Sequence, residues 1–206
     1  MSDVSDFKDI SPTILADHLG REHVMDIGIR PLWPSVPRIA GPAFTVRCAA
    51  GDHLMLHAAI YRAEPGSVVV VQAGDVDYAL AGGNVCAVAQ RRGIAGFVID
   101  GVIRDLAEVR EMGFPVFARG VVPAPAAKAV VEPLNQEIRC GGVAVRPGDI
   151  VVADEEGVVV TPYGRREEVL AASRQRLAKE AAETLDEWEA AHRAKIEALL
   201  AGGGGS

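Results

Sequence analysis

The sequence is short of cysteine and of aromatic residues, and it has no long apolar run. Its three cysteines, Cys48, Cys86 and Cys140, lack C-x-x-C spacing and cannot all pair within one chain. We therefore expect buried, reduced thiols in a cytoplasmic protein. No apolar run reaches the ~18 residues of a membrane span, and the acidic start MSDVSDFKDI lacks the apolar core of a secretory signal. We expect no membrane partner.

Basic runs and nucleotide-binding motifs are missing as well. The chain carries 21 basic and 28 acidic residues, a net charge of −7, and no stripe of Lys or Arg. Such a chain is a poor candidate for nucleic-acid binding through phosphate contacts. With 5% aromatic residues it also has few stacking platforms. No G-x-G-x-x-G follows the first predicted strand and no G-x-x-x-x-G-K-[ST] occurs, which argues against a dinucleotide-binding fold.

The apolar content is ample, and its pattern predicts an α/β fold. The 206 residues are 49% hydrophobic, which is enough for one large core. Apolar runs predict strands at 39–48, 67–72, 94–99, 138–140, 143–145, 150–153 and 158–161, and a further core strand that ends at 119–120. Helices are predicted from Pro12 and over 52–63 and 84–92. We expect a mixed sheet with helices on its faces in an α/β domain at 1–164. Residues 165–200 predict a long helical extension, bent or split, and residues 201–206 a flexible linker.

The stretch 81–118 concentrates the features that indicate chemistry. Gly82 and Gly83 precede a predicted helix, whose first N–H groups favour an anion. After the strand at 94–99, Asp100-Gly101 predicts a sharp turn. The pair Arg104-Asp105 follows and opens a second short helix.

Two such loops packed side by side would place amides, a guanidinium and a carboxylate around one cavity. Arginine clamps a carboxylate through two hydrogen bonds, and aspartate is a hard oxygen ligand suited to Mg²⁺ or Mn²⁺. One interpretation of Arg104 and Asp105 is therefore a site for a small anion held against a divalent cation. The other is a surface ion pair on a well-formed turn.

Other polar residues near this stretch are weaker candidates. His53 and His57 lie four residues apart on one helix face, but no Glu lies between them, so the zinc-enzyme pattern is absent. Asp75 and Asp77 follow a predicted strand, where α/β folds place ligands. Either they contact the cation through water, or they belong to a solvated loop.

These residues resemble a known family. Gly83, twenty residues, Arg104-Asp105, two residues and Glu108 match the G-x20-R-D-x2-E/D pattern of RraA-like proteins. The match is to the branch of 4-hydroxy-4-methyl-2-oxoglutarate/4-carboxy-4-hydroxy-2-oxoadipate aldolases. The segments AGPAFTV (40–46), EPGSVVVV (64–71) and RPGDIVVADEEGVVVTP (146–162) are also similar to family segments. The resemblance covers about 12–162.

The resemblance implies a β/β/α swivelling-type domain in a homotrimer or a homohexamer of two stacked trimers, with the site between subunits. It implies an Mg²⁺- or Mn²⁺-dependent lyase that cleaves a 4-hydroxy-2-oxo acid to pyruvate and also decarboxylates oxaloacetate. Arg104 would clamp the pyruvyl carboxylate and Asp105 would hold the metal. Glu108 would support them, and Arg119 would bind a distal carboxylate. The carboxylate cradle would comprise Gly82, Gly83, Asn84, Val85 and Cys86.

One position departs from the better-known aldolases of this family, which have Asp where this chain has Gly83. Asp75 or Asp77 would replace that carboxylate, or the enzyme would act mainly on a simpler 2-oxo acid. The resemblance also leaves a non-enzymatic alternative, an RraA-type regulator that binds ribonuclease E. Such regulators typically lack the acidic residue after the arginine, so the intact Arg104-Asp105 pair favours an enzyme.

Overall fold

A computed structural model describes residues 4–202, and a seven-stranded mixed sheet forms its centre. Two further strands form a separate hairpin. The strands are β1 (Arg30–Pro31), β2 (Ile39–Arg47), β3 (Val68–Gln72), β4 (Gly96–Ile103), β5 (Val116–Val121), β6 (Ile138–Cys140), β7 (Val143–Val145), β8 (Ile150–Asp154) and β9 (Gly157–Thr161). The helices are α1 (Pro12–Leu19), α2 (Leu54–Ala59), α3 (Gly83–Arg91), α4 (Leu106–Met112), α5 (Arg166–Ala182) and α6 (Leu185–Gly202). Short 3-10 helices cover Val4–Asp9, Arg21–His23 and Tyr163–Arg165.

The sheet order is β1-β5-β4-β3-β2-β8-β9, and its central part is parallel. Strands β2, β3, β4 and β5 run parallel, while β1, β8 and β9 pair antiparallel with their neighbours. Helices α2, α3 and α4 connect the successive parallel strands, so the carboxyl ends of these strands share one edge. Ligand sites in α/β proteins lie at this edge. The predicted mixed α/β architecture is confirmed.

Two apolar cores hold the sheet in place. Val68, Val69, Val70 and Val71 of β3 are all 0% exposed, as expected for a parallel strand covered on both faces. A second cluster joins α1 and α5 to β8 and β9 and includes Leu15, Ile150 and Leu170 among its buried side chains. Helix α1 begins as predicted, because Ser11 Oγ accepts a hydrogen bond from the Ile14 N–H at 3.3 Å.

Two local predictions are wrong. Strand β4 does not turn at Asp100-Gly101 but continues to Ile103, with an irregularity in its register against β5 between Ile99 and Val102. Cross-strand pairing therefore overrides the turn preference of Asp-Gly. Helix α2 is shorter than the predicted 52–63 and begins only at Leu54, whose N–H donates to Asp52 Oδ1 at 2.8 Å.

The C-terminal helix is split rather than continuous. Helix α5 ends at Ala182, and α6 restarts at Leu185 after Thr184, whose hydroxyl accepts from the Glu187 N–H at 3.3 Å. Helix α5 is anchored by buried Val169 and Leu170, whereas α6 has no buried residue. Residues 203–206 of the predicted linker lie outside the described residues. Within residues 4–202, no helix is long and apolar enough to span a bilayer.

Candidate active site

The candidate site forms where the segment before α3 runs alongside the end of β4. The Leu80 N–H donates to the Val102 carbonyl at 2.9 Å, and the Arg104 N–H donates to the Ala81 carbonyl at 2.9 Å. These bonds hold the start of α3 against the start of α4. The predicted packing of two loops that each open a helix is therefore present.

Asp105 lies at the centre of this junction in an uncommon backbone conformation. Its φ of 56° and ψ of 38° place it in the left-handed region, which aspartate tolerates better than most residues. Its Oδ2 accepts a hydrogen bond from the Gly83 N–H at 3.1 Å and lies 3.5 Å from Arg104 Nε. A non-glycine residue in this region costs roughly 1–3 kcal/mol, and such residues cluster at functional sites.

A small pocket of about 60 Å³ opens beside Arg104 and Asp105. Arg104 is 42% exposed, and the contact with Asp105 is the only ion pair of its guanidinium among the described residues. The pocket is lined by residues from the α2 region, from the segment before and into α3, and from the β4–α4 junction: His53, His57, Ala79, Leu80, Ala81, Gly82, Asn84, Val85, Arg104 and Asp105.

Fewer backbone amides are free to bind an anion than the sequence predicts. The Gly83 N–H is taken by Asp105, and the Cys86 N–H donates to the Gly82 carbonyl at 3.0 Å. Asn84 and Val85 line the pocket, and their N–H groups have no acceptor among the described residues. Cys86 itself is buried, and burial raises the pKa of its thiol to about 12. Cys86 therefore contributes no thiolate to the site.

The two glycines make room for carboxylates. A Cβ at Gly82 would overlap Asp105 Oδ2 and lie 3.0 Å from Arg104 Cγ. A Cβ at Gly83 would overlap Glu108 Oε2. The Glu108 carboxylate thus occupies the space that a side chain at position 83 would need, although Glu108 is not among the residues that line the pocket.

This donor set fits a magnesium-type cation. Mg²⁺ commonly binds through one or two carboxylates and keeps several water ligands. Asp105 Oδ1 has no donor among the described residues, and the Glu108 carboxylate is close to Gly83. No group of three or more His, Cys, Asp or Glu side chains suited to a metal occurs within residues 4–202. Hard carboxylate oxygens such as those of Asp105 suit Mg²⁺ or Mn²⁺.

Arg119 and Asp75 lie outside this pocket. Arg119 pairs with Asp26 at 2.6 Å and also with Asp100, so its guanidinium is committed to carboxylates of the protein. Asp75 Oδ1 accepts from the N–H groups of Asp77 and Tyr78, which makes it the centre of a turn. Neither residue lines the pocket, so Arg119 is not placed to bind a carboxylate of a ligand held there.

His53 and His57, which lack the zinc-enzyme pattern, also line the pocket. The rings of His53 and His57 stack with centroids 4.1 Å apart and planes at 27°. Burial is the main cause that lowers the pKa of both imidazoles, and that of His57 falls to about 4. The nearby charge of Lys128 adds to the effect. Their spacing of four residues predicts a shared helix face but not the direction of that face.

Comparison with known proteins identifies the family. A family model described as Aldolase/RraA, RraA-like, matches residues 1–160. A Halalkalibacterium halodurans protein named "Putative 4-hydroxy-4-methyl-2-oxoglutarate aldolase" is 40% identical over 180 residues, covering 87% of this chain and 85% of that protein.

Solved structures share the fold. The crystal structure of Streptomyces coelicolor RraAS2, described as an unusual member of the RNase ES inhibitor RraA protein family, matches with a TM-score of 0.76 and 30% identity. The match covers 86% of this chain and 93% of that one. A Geobacillus kaustophilus structure described as an S-adenosylmethionine: 2-dimethylmenaquinone methyltransferase matches with a TM-score of 0.67 and 31% identity. That match covers 74% of this chain and 95% of the other.

The mixed α/β fold, the family model over residues 1–160 and the relative at 40% identity agree on the class of protein. The chain belongs to the RraA-like family.

Proposed function

We propose that this chain is a divalent-metal-dependent aldolase that cleaves a 4-hydroxy-2-oxo acid to pyruvate and a carbonyl product. The observation that carries the proposal is the meeting of Arg104, Asp105 and the free amides of Asn84 and Val85 at one pocket. Several relatives named as putative 4-hydroxy-4-methyl-2-oxoglutarate aldolases support the reaction class.

The pyruvyl carboxylate would lie between Arg104 and the start of α3. A guanidinium forms two parallel hydrogen bonds with a carboxylate, and free N–H groups at a helix start favour negative charge. Arg104 has a partly exposed side chain and lines the same pocket as Asn84 and Val85. The protein therefore offers complementary donors from two directions to one small carboxylate.

Asp105 would hold the cation, with Glu108 in support. When bound there, Mg²⁺ or Mn²⁺ supplies a Lewis acid that stabilises negative charge on the 2-oxo acid as the C3–C4 bond breaks. Asp105 Oδ1 is available for this duty because the Gly83 N–H and Arg104 both engage Oδ2. The stretch 81–118 contains no lysine, so it offers no residue for a covalent imine route.

We propose oxaloacetate decarboxylation as a second activity of the same site. Loss of CO₂ from oxaloacetate leaves the same pyruvate enolate as cleavage of the aldol. Arg104 and the amides of Asn84 and Val85 would hold the same carboxylate in both reactions. The two activities should therefore depend on these groups alike.

We further propose that a neighbouring subunit completes the site in a homotrimer or homohexamer. The pocket of about 60 Å³ is smaller than the roughly 300–1,000 Å³ of typical ligand sites. Beside it, the segment 121–131 exposes Val121, Val130 and Val131, and this segment is held to the pocket wall by the His53 N–H, which donates to the Ala127 carbonyl at 2.9 Å. Exposed apolar side chains in a segment that contacts the pocket wall favour a contact surface there.

The test measures pyruvate release from 4-hydroxy-4-methyl-2-oxoglutarate and from oxaloacetate with added Mn²⁺. We expect activity in the wild type and its loss on EDTA treatment or in Asp105→Asn. Asp77→Asn is the matched control, because this exposed carboxylate does not line the pocket. Activity that persists after metal removal and in Asp105→Asn would reject the metal-dependent mechanism.

A second candidate function is regulation of a ribonuclease, favoured by the similarity to the RNase ES inhibitor family structure. In that case the purified chain would inhibit ribonuclease E cleavage of an RNA substrate, and Asp105→Asn would inhibit equally well. Inhibition without any pyruvate release would replace the enzymatic proposal with the regulatory one.

A further inference from the structure

His53 is held in one orientation at the pocket wall. Its Nδ1 lies 3.3 Å from the Ala79 carbonyl oxygen, and its ring stacks on that of His57. A carbonyl oxygen only accepts hydrogen bonds, so Nδ1 must carry the proton of the neutral ring. The lone pair is then on Nε2, and this atom has no hydrogen-bond partner among the described residues.

The surroundings keep this imidazole neutral. Burial disfavours the charged ring and lowers the pKa of His53 below its usual value, although the hydrogen bond with the Ala79 carbonyl acts against it; the positive charges of Lys128 and Arg104 add to the lowering. The carboxylate of Asp52, which accepts hydrogen bonds from the backbone amides of Leu54, Ala129 and Val130, opposes this lowering but is a smaller influence than burial.

Few other groups in the pocket are able to accept a proton. Among the lining side chains only the two histidines and Asp105 accept protons, since Arg104 stays charged. Asp105 is assigned to the cation. His57 Nε2 is enclosed, with almost no accessible surface and no partner in the described part of the chain. His53 Nε2 is the remaining acceptor.

We propose, on the basis of the aldolase function above, that His53 is the catalytic base that takes the C4 hydroxyl proton of the 4-hydroxy-2-oxo acid. The proton passes to Nε2, and the O–H electron pair forms the C4 carbonyl bond. The C3–C4 pair moves onto the pyruvyl fragment as its enolate. The imidazolium returns the proton to C3, which yields pyruvate and restores the neutral ring.

This role separates the two reactions of the site. Oxaloacetate has no hydroxyl proton to lose when its carboxylate departs as CO₂, so the bond-breaking step of decarboxylation needs no base. His53 should therefore matter for aldol cleavage far more than for decarboxylation. A residue needed only to shape the pocket would affect both reactions together.

The experiment compares both reactions in His53→Asn with Mn²⁺ present. Asparagine keeps a donor near the Ala79 carbonyl but removes Nε2. We expect kcat for cleavage of 4-hydroxy-4-methyl-2-oxoglutarate to fall by about 10²–10⁴-fold, the usual contribution of a general base, while oxaloacetate decarboxylation is largely kept. His53→Gln should behave alike, and His192→Asn in exposed α6 serves as the control.

Three outcomes would overturn the proposal. Unchanged aldol cleavage in His53→Asn and His53→Gln would exclude a base at this position. An equal loss of both reactions in both variants would show that His53 has only a structural role. The proposed aldolase function would still hold, because the wild type would remain active. A wild type that releases pyruvate from neither substrate would remove the proposed function itself and the role of His53 with it.

Discussion

Two arginines at the ends of neighbouring parallel strands have opposite surroundings. Arg104 follows β4, is 42% exposed, and has one contact of 3.5 Å with Asp105. Arg119 lies in β5 and is paired with both Asp26 and Asp100. A guanidinium already saturated by carboxylates has little capacity for a ligand, whereas a weakly paired one retains it. The comparison therefore separates an arginine that serves binding from one that serves stability.

Arg104→Gln should give the largest effect on activity. Glutamine keeps hydrogen-bonding capacity but removes the charge and the paired donors that face a carboxylate. We expect pyruvate release to fall by about 10³-fold, in line with losses of other preorganised charged donors. Thermal unfolding should change little, because the Arg104–Asp105 pair is exposed and weak. Full activity in this variant would contradict the binding role of Arg104.

Gly82→Ala should come next in effect. The backbone of Gly82 is extended, with φ of −157°, so alanine causes no backbone strain. The added Cβ would nevertheless overlap Asp105 Oδ2 and displace the carboxylate. A shift of this kind is expected to lower kcat by about 10²-fold. The matched control is Gly120→Ala near Arg119, where a Cβ would meet only Val102 Cγ1 at 3.9 Å and activity should be kept.

Arg119→Gln should affect stability instead of catalysis. It leaves Asp26 and Asp100 without their shared cation, and we expect a loss of about 1–2 kcal/mol in the free energy of unfolding measured with urea. The hydrogen bond from Arg119 holds the pKa of Asp26 below its usual 3.8. This stabilisation is complete above pH 3.8 and is lost as pH falls through the lowered value. The difference in unfolding free energy between wild type and variant should therefore shrink in acid. A variant with unchanged stability but lost activity would show that Arg119 serves binding and not stability.

His57 should produce the smallest effect, a pH dependence of stability. Its pKa is about 4 in the folded protein against 6.5 for an unperturbed histidine. The unfolded chain therefore binds a proton first as pH falls, and stability should decline from pH 6.5 toward pH 4. Urea midpoints across this range should show a shallower decline in His57→Phe. An identical slope in wild type and variant would contradict the buried, neutral state of His57.

Much of the fold followed from the sequence because apolar patterning and turn residues agree along most of the chain. The apolar run 68–71 predicted a strand, and the structure buries all four valines because both faces of the sheet are covered. The turn predicted at Asp100-Gly101 is wrong because β4 pairs with both of its neighbours there. The stabilisation from this pairing outweighs the local turn preference of Asp-Gly.

The site was predicted only in part. The spacing of Gly83, Arg104 and Asp105 indicated a junction that the structure contains. The sequence did not predict that Arg119 pairs with carboxylates of the protein, because Asp26 is 93 residues away from it along the chain. Partners that are distant in sequence meet only through the fold.

His53 shows a second limit of the same kind. The sequence predicted His53 inside a helix at 52–63, whereas the structure places it just before α2. Its contact with the Ala79 carbonyl depends on the path of the segment between β3 and α3. The direction in which a helix face points is a tertiary property.

The most direct test of the central claim measures whether one site binds a cation and an organic anion together. Electron paramagnetic resonance of Mn²⁺ with the wild type should show a bound ion whose spectrum changes on addition of oxalate, a stable analogue of the pyruvate enolate. Asp105→Asn should lose the bound Mn²⁺, and Arg104→Gln should keep the ion but respond weakly to oxalate. Mn²⁺ bound equally well by Asp105→Asn, with the same response to oxalate, would contradict the account.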